Sequence, residues 1–203
     1  MPGKKNLLLS TLPLMVICCA AVLGIYALGQ FLEENITRNR HLPILEIGAE
    51  VLPLEHDNDL PMDRLSVDMP TYFGADTATG VYRVRLGGEP VGVIFSPVQA
   101  RGYNGMMELA VGIRYDGTLG GVRILQHRET QGLGDQVHQD NSPWILSFNG
   151  RSLTNTPEDG WAVKPDGGIY DHISGATSSQ RAVLRAVEQT LKYYAANREQ
   201  LFL

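Results

Sequence analysis

The chain begins with a long apolar run and then changes to alternating apolar and polar residues. Residues 6–32 contain no charged side chain. Two later stretches, "VYRVRLGGEPVGVIFS" and "ELAVGIRYDGTLGGVRILQH", alternate in character, and each is interrupted by a Gly-Gly or Asp-Gly pair. Alternation predicts half-buried strands, and these dipeptides accept the positive φ angles of tight hairpin turns. We therefore expect two β-hairpins, whose second halves "PVGVIF" and "LGGVRIL" look alike, as in a duplicated unit.

The rest of this part of the chain predicts shorter elements and one helix. The segment "SPVQARGYNGMM" between the hairpins is rich in turn formers and is expected to cross a sheet edge or line a cleft. "PWILSFNG" predicts a short amphipathic element, and "WAVKPDGG" predicts a strand running into a turn. The closing segment carries residues at a spacing of 3–4, which predicts a helix with one apolar face: Ala182, Val183, Ala186, Val187, Thr190, Leu191 and Tyr194. The fold class expected is α+β, with antiparallel β-hairpins and a packed C-terminal helix.

The first apolar run has the length of a membrane-spanning helix. Its 27 residues, Asn6–Leu32, would extend about 40 Å as a helix. Lys4 and Lys5 precede it and acidic residues follow it, so the positive-inside rule places the amino terminus in the cytoplasm and residues 33–203 outside. The alternative is a cleaved signal peptide, but the run is long and "YALGQFLEE" is a poor cleavage site. We therefore favour a retained anchor.

This pattern divides the chain into three regions, and the composition of the two exported regions excludes several kinds of site. Residues 1–32 form the cytoplasmic tip and anchor, 33–75 a helical and loop-rich lead-in, and 76–203 the main domain. Both cysteines, Cys18 and Cys19, lie in the anchor, so the exported part has no disulfide, thiolate metal site or cysteine nucleophile. Its excess of acidic residues argues against nucleic acid as a partner, and its histidines show no metal-binding spacing.

The stretch "DHISGAT", residues 171–177, precedes the predicted C-terminal helix. Thr177 and Gln180 have the spacing of a capping box, in which the hydroxyl accepts a first-turn N–H and the glutamine reaches back. The same geometry favours a bound phosphate, since first-turn N–H groups and the helix dipole attract anions and Gly175 permits close approach. The residues alone leave both interpretations open.

The stretch "DHISGAT" also matches Asp-x-x-Ser/Thr-Gly-Ala-Thr, the flavinylation motif of the FMN-binding domain family. "GYNG", "VGIRYDGTLGGVRILQHRETQGLGD" and "WAVKPDGG" match the same family in the same order, behind a single N-terminal anchor. Within that family the chain resembles the RnfG-type subunits of Rnf ion-translocating electron-transport complexes and, less closely, NqrC of the sodium-pumping quinone reductase. The resemblance covers the anchor and roughly residues 43–195.

The resemblance implies a role for each matching residue. In the family, a flavin transferase of the ApbE type moves FMN from FAD onto the last threonine of the motif as a phosphoester, which here is Thr177. Recognition of the motif and room for the phosphate would fall to Asp171, Ser174, Gly175 and Ala176. The loop along the isoalloxazine ring would comprise Glu129, Thr130, Gly132, Leu133 and Gly134, with Lys164 and Asp166 near the ribityl chain and Tyr103 a candidate for stacking.

Each of these positions also has a purely structural interpretation. Gly132 and Gly134 could be ordinary turn glycines, Lys164 a solvated surface charge and Tyr103 a loop anchor. Gln131 occupies a position at which relatives often have proline. Trp144 and Trp161 are expected in the core, and His172 is the only histidine within the motif.

The resemblance also implies a function for the whole chain. It predicts an electron-relaying flavoprotein, the G subunit of an ion-translocating ferredoxin:NAD oxidoreductase-type complex, with little activity alone. Its FMN domain would face the periplasm from the bacterial inner membrane, among integral-membrane and electron-transfer subunits. Two alternatives remain at this point: an anchored module that holds flavin or another phosphate ligand for sensing or storage, and a structural subunit in which Thr177 only caps a helix.

Overall fold

The computed structural model describes residues 13, 15–16, 21–22, 44–67 and 78–203. The chain divides into two compact units, Met1–Pro43 and Ile44–Leu203. Most of the predicted anchor and the lead-in up to residue 43 lie outside the described residues. Among the residues that are described, no helix is both long and apolar enough to cross a bilayer. The second unit contains all the elements discussed below.

The second unit is built on a five-stranded antiparallel sheet in which each strand pairs with the next along the chain. The strands are β1 (Arg64–Val67), β2 (Thr79–Leu86), β3 (Glu89–Arg101), β4 (Met106–Arg114) and β5 (Leu119–Gln126). Both predicted hairpins are confirmed, as β2–β3 and β4–β5. Gly87 and Gly88, with φ of 61° and 82°, supply the positive angles that the first tight turn needs. Strand β1 extends the sheet within a region that the sequence predicted as loop-rich.

The expectation that "SPVQARGYNGMM" crosses an edge or lines a cleft was wrong for most of its length. Strand β3 continues through it to Arg101, and β4 begins at Met106, so the two hairpins form one meander. The register shifts between Phe95 and Val98, around Ser96 and Pro97. Such a bulge accommodates a proline that cannot donate to the ladder. Only the tight connection 102–105 is turn-like.

The sheet is covered on both faces, which the alternation of its strands explains. Val93 and Phe95 of β3 belong to a large buried cluster with the C-terminal helix, whereas Ile94 belongs to a smaller cluster on the opposite face. Successive side chains of a strand point to opposite faces, so one strand serves two cores. The sheet is therefore a central layer, and the C-terminal helix packs on its larger core.

The C-terminal helix, Thr177–Leu201, confirms the helix prediction. All seven residues predicted for its apolar face are buried: Ala182, Val183, Ala186, Val187, Thr190, Leu191 and Tyr194. The packing of this face against the sheet fixes where the helix begins. It therefore fixes the position of Thr177.

The connection between β5 and the C-terminal helix consists of 3-10 turns and loops. "PWILSFNG" forms a 3-10 helix, Pro143–Phe148, capped by the Ser142 hydroxyl. The prediction of a strand in "WAVKPDGG" was wrong: Val163 forms only an isolated bridge with Tyr170, and Lys164–Asp166 is a 3-10 turn. Pro165 cannot donate to a ladder, and the two following glycines favour a turn. Trp144 and Trp161 are buried, as expected.

A short helical segment, residues 44–51, packs on the smaller core through glycines of the sheet. A Cβ atom added to Gly112 would lie 2.3 Å from the Val51 carbonyl oxygen, and one added to Gly120 would lie 2.5 Å from it. These glycines let the backbone of the segment lie directly on the strands. The segment thus belongs to the fold of the second unit.

We expect Gly112→Ala to lower the free energy of unfolding by about 1–3 kcal/mol, because the added methyl would collide with backbone that cannot rotate away. Gly121→Ala is the matched control on the paired strand, since its Cβ would approach Val51 no closer than 3.2 Å at Cα. Urea unfolding of the two variants measures the difference. Equal losses would show that the close approach to Val51 does not decide stability.

Candidate functional site

The start of the C-terminal helix differs from the capping box that the sequence predicted. Ala176 is the N-cap residue and no side chain caps the helix there, while Thr177 is the first helical residue. The Thr177 hydroxyl lies 2.8 Å from Nε2 of His172 instead. The first-turn N–H groups of Thr177, Ser178 and Ser179 have no intrahelical acceptor, because the i→i−4 pattern begins at Gln180. The structure therefore leaves both the hydroxyl and the helix N-terminus available for other chemistry.

Gln180 does reach back, but beyond Thr177, to the start of the motif. Its side-chain oxygen accepts the Ile173 N–H at 2.9 Å, and its amide nitrogen donates to the Asp171 carbonyl at 2.9 Å. The indole N–H of Trp144 donates to the same carbonyl at 2.8 Å. Gln180 is fully buried, so its end of each bond is shielded from water. Residues 171–177 are consequently held as a fixed loop on the helix.

The middle of the motif is a tight turn in which both the backbone angle and the packing require glycine at position 175. The Ala176 N–H donates to the Ile173 carbonyl, and Gly175, at the third position of this turn, has φ of 84°. A Cβ atom added to Gly175 would also lie 2.7 Å from Cδ2 of Leu133. This contact shows that the structure brings the motif together with the predicted flavin loop, residues 129–134, although about forty residues separate them.

The flavin loop contains a turn of the same kind. The Leu133 N–H donates to the Thr130 carbonyl, and Gly132, at the third position, has φ of 76°. Gln131 is the second residue of this turn, a position that also suits proline. The Gln131 departure therefore leaves the turn intact, with Gln136 donating to the Gly132 carbonyl at 2.9 Å. Leu133 remains 48% exposed and presents an apolar side chain beside Gly175.

Glu129 joins the flavin loop to the helix. Its side chain accepts the Ser179 hydroxyl at 2.6 Å through Oε2 and the Asn104 N–H at 3.0 Å through Oε1, while the residue is only 9% exposed. Gly134 and Gly102 make room for it, since a Cβ atom at either position would lie within 2.4 Å of a Glu129 oxygen. Gly134 is therefore required by packing against Glu129. Glu129 acts within the fold, and its carboxylate is engaged there.

The 102–105 connection supplies a third segment of the site. The Asn104 side chain donates to the Thr130 hydroxyl at 2.9 Å, in addition to its backbone bond to Glu129. Tyr103 beside it is 77% exposed. The interpretation of Tyr103 as a packed loop anchor thus does not fit, because its ring projects from a loop that its neighbour fixes.

Two ion pairs flank the motif. Lys164 Nζ lies 2.5 Å from Oδ1 of Asp171, and Arg181 contacts both carboxylate oxygens of Asp166 at 2.7 Å. The bidentate hydrogen bond from Arg181 holds the pKa of Asp166 below its usual value, and the same contact raises the pKa of Arg181. Lys164 is a solvated surface charge, as the structural interpretation expected, and its exposed ion pair connects the 3-10 turn to the motif. Ser174, within the motif, is exposed.

Sequence reasoning missed the bonds of four residues that hold this arrangement together: Asn104, Trp144, Ser179 and Gln180. The sequence indicated Gln180 only as part of a capping box, and it gave Ser179 no role. Their position could have indicated a buried role, because Ser179 and Gln180 lie on the same apolar helix face as Val183. A polar residue on such a face needs a buried partner.

The geometry defines a site with a partly exposed hydroxyl, free backbone donors at a helix N-terminus, and apolar side chains at a glycine-rich turn. Residues 102–192 match the family model of the FMN-binding domain, so this part of the chain has the sequence of an FMN-binding domain. All three segments of the site lie inside that range.

Relatives over nearly the whole chain specify the family. The chain is 40% identical to the G subunit of the ion-translocating oxidoreductase complex of Pseudoalteromonas atlantica, over 88% of this chain and 84% of the relative. It is 38% identical to the protein of the same name from Pseudomonas aeruginosa, over 90% of each chain, and 37% identical to that of Shewanella loihica, over 95% and 90%. The chain belongs to the family of these G subunits, the RnfG family.

We expect Ser179→Ala to lower the free energy of unfolding by about 1.5–3 kcal/mol, because the buried Glu129 carboxylate loses a charge-assisted hydrogen bond. Ser178→Ala is the control: it removes the same hydroxyl from the preceding position, which is exposed, and should change stability by less than about 0.5 kcal/mol. Urea unfolding of both variants tests this. Similar small effects would mean that Glu129 does not depend on Ser179.

Proposed function

We propose that this protein is a membrane-anchored electron-transfer flavoprotein that carries FMN as a phosphoester on Thr177. It would act as the G subunit of an Rnf-type ion-translocating ferredoxin:NAD oxidoreductase complex. The observation that carries the proposal is the meeting of the motif and the flavin loop, at Gly175 and Leu133, beside a Thr177 hydroxyl that does not cap its helix. A purely structural Thr177 would be expected to accept a first-turn N–H.

The residues around Thr177 suit a phosphoester. The N–H groups of the first turn and the positive end of the helix dipole stabilise an anion at this position. Gly175 has a positive φ and is exposed, so the turn beside Thr177 lies at the surface, where a phosphate can approach. Asp171 would repel an anion, but its carboxylate is paired with Lys164. The charge distribution therefore favours the phosphate without a dedicated lysine at Thr177.

The apolar side chains near the turn suit a flavin ring. Leu133 and Tyr103 are both large and exposed, on loops held by Glu129 and Asn104. Such side chains can contact the faces of the isoalloxazine system, and the loop Thr130–Gly134 offers backbone groups to its heteroatoms. When bound, FMN supplies the redox chemistry. The protein supplies its position, its electrostatic surroundings and its contact with neighbouring subunits.

Assembly into a complex is inferred from the relatives. Proteins named as the G subunit of an ion-translocating oxidoreductase complex match this chain over most of its length. We infer that this chain likewise works among membrane and electron-transfer subunits and is matured by a flavin transferase of the ApbE type. Ion movement would then be a property of the assembly, and this chain alone would turn over little substrate.

The anchor is inferred from the sequence of residues 6–32 and its flanking charges. Within this segment, Met15, Val16 and Val22 are helical, with exposed apolar side chains, which lipid can cover. We infer a single pass through the bacterial inner membrane with the FMN domain on the periplasmic side. A covalent link would suit that compartment, because lost FMN could not readily be replaced there.

Thr177→Ala should abolish covalent flavin, because it removes the oxygen that forms the ester. The protein is made in a host that exports it and contains the transferase, and its intact mass is measured. Wild type should gain the mass of FMN less one water, located by fragmentation to the peptide 171–181. Ser178→Ala, which keeps Thr177, should carry the same increment as wild type. An unmodified wild-type mass, or flavin that persists in Thr177→Ala, would refute the attachment.

The anchor predicts a distinct behaviour on fractionation. The full chain should remain with membranes after alkaline extraction, and a chain lacking residues 1–32 should not, since it lacks the apolar helix. Protease added to intact spheroplasts should cleave the domain beyond residue 43. Release of the full chain by alkali, or its protection from protease in spheroplasts, would contradict the proposed placement.

A further inference from the structure

His172 is the residue in contact with the atom that the proposed function esterifies. Its Nε2 lies 2.8 Å from Oγ1 of Thr177, which is hydrogen-bonding distance. A neutral imidazole with its proton on Nδ1 accepts the hydroxyl proton in this geometry. This arrangement of a hydroxyl nucleophile and an adjacent histidine is the one that activates hydroxyl groups for attack.

The contact between His172 and Thr177 contributes little to helix capping, core packing or the stability of the loop. The Thr177 hydroxyl does not cap the helix, and His172 is an exposed residue that makes no contribution to either hydrophobic core. The turn around it is held by Gln180 and Trp144 through backbone groups. A hydrogen bond between two partly exposed side chains adds little to a loop that is already fixed.

The charged side chains near His172 are already paired with one another. Asp166 is close enough to interact electrostatically with His172 and is paired with Arg181. Lys164, the nearest lysine along the chain, is engaged with Asp171. These two cations beside the motif are thus balanced by carboxylates.

We propose that His172 is the proton acceptor for attachment of the flavin to Thr177. The inference rests on the proposed function. Oγ1 of Thr177 forms a bond to the flavin-side phosphorus of FAD, the bond from that phosphorus to the bridging oxygen breaks, and AMP leaves. The hydroxyl proton passes to Nε2 of His172. The acceptor protein would in this way supply part of the chemistry of its own modification, and the transferase would supply the bound FAD.

Two substitutions separate proton transfer from hydrogen bonding. His172→Ala removes both, whereas His172→Gln keeps an amide that can hydrogen-bond the hydroxyl but cannot take its proton. His56→Ala is the control, because it removes another exposed histidine, in the segment before β1. Full-length proteins are incubated with FAD and an ApbE-type transferase, and the initial rate of covalent flavin incorporation is followed by intact mass at saturating acceptor concentration. Circular dichroism checks that each variant is folded.

Both His172 variants should lose about 10²-fold or more in the saturated rate, the usual contribution of a general base, while His56→Ala should match wild type. A wild-type rate for His172→Ala or His172→Gln would overturn the inference, and so would a loss that disappears at high acceptor concentration, since that would indicate docking alone. These results are distinguishable from failure of the proposed function. In that case wild type itself would acquire no flavin.

Discussion

The site depends on the hydrogen bonds that the buried Glu129 side chain accepts. It accepts hydrogen bonds from the 102–105 connection and from Ser179 of the C-terminal helix, and it belongs to the flavin loop. A carboxylate is costly to bury unless such bonds are made. Three segments distant in sequence are therefore fixed relative to one another by one group. Gly102 and Gly134 are small because that group occupies the space their side chains would need.

The fold and the site differ in how far sequence could predict them. Alternation and the two turn dipeptides predicted both hairpins, and the 3–4 spacing predicted the buried face of the C-terminal helix. These features are set by local periodicity. Local rules failed at "WAVKPDGG", where Pro165 interrupts an apolar run, and at β3, where burial of Val98 and Ala100 overrides turn-forming neighbours. Strand β1 was missed because its four residues are too few to show a period.

The resemblance predicted two segments that the structure brings together, but it did not predict the bonds that hold them. Resemblance pointed to residues 129–134 and 171–177, and the structure brings these ranges into contact at Gly175 and Leu133. The hydrogen bonds that hold them are between residues far apart in the chain, such as Ser179 and Glu129, so no spacing rule identifies them. The capping box failed because Gln180 has better partners in the loop before the helix than in the helix itself. Tertiary contacts thus decided the role of each polar side chain in the turn.

The hydrogen bonds from Gln180 and Trp144 to the motif make the shape of the motif depend on folding of the domain. Both partners lie outside the seven-residue stretch, and both become buried only when the helix and the 3-10 helix Pro143–Phe148 have docked on the sheet. An isolated peptide of the same sequence, or a nascent chain still being exported, has none of these restraints. An enzyme that reads this turn by shape therefore distinguishes folded from unfolded chains. Under the proposed function, a transferase of that kind would attach flavin only to chains whose core has assembled.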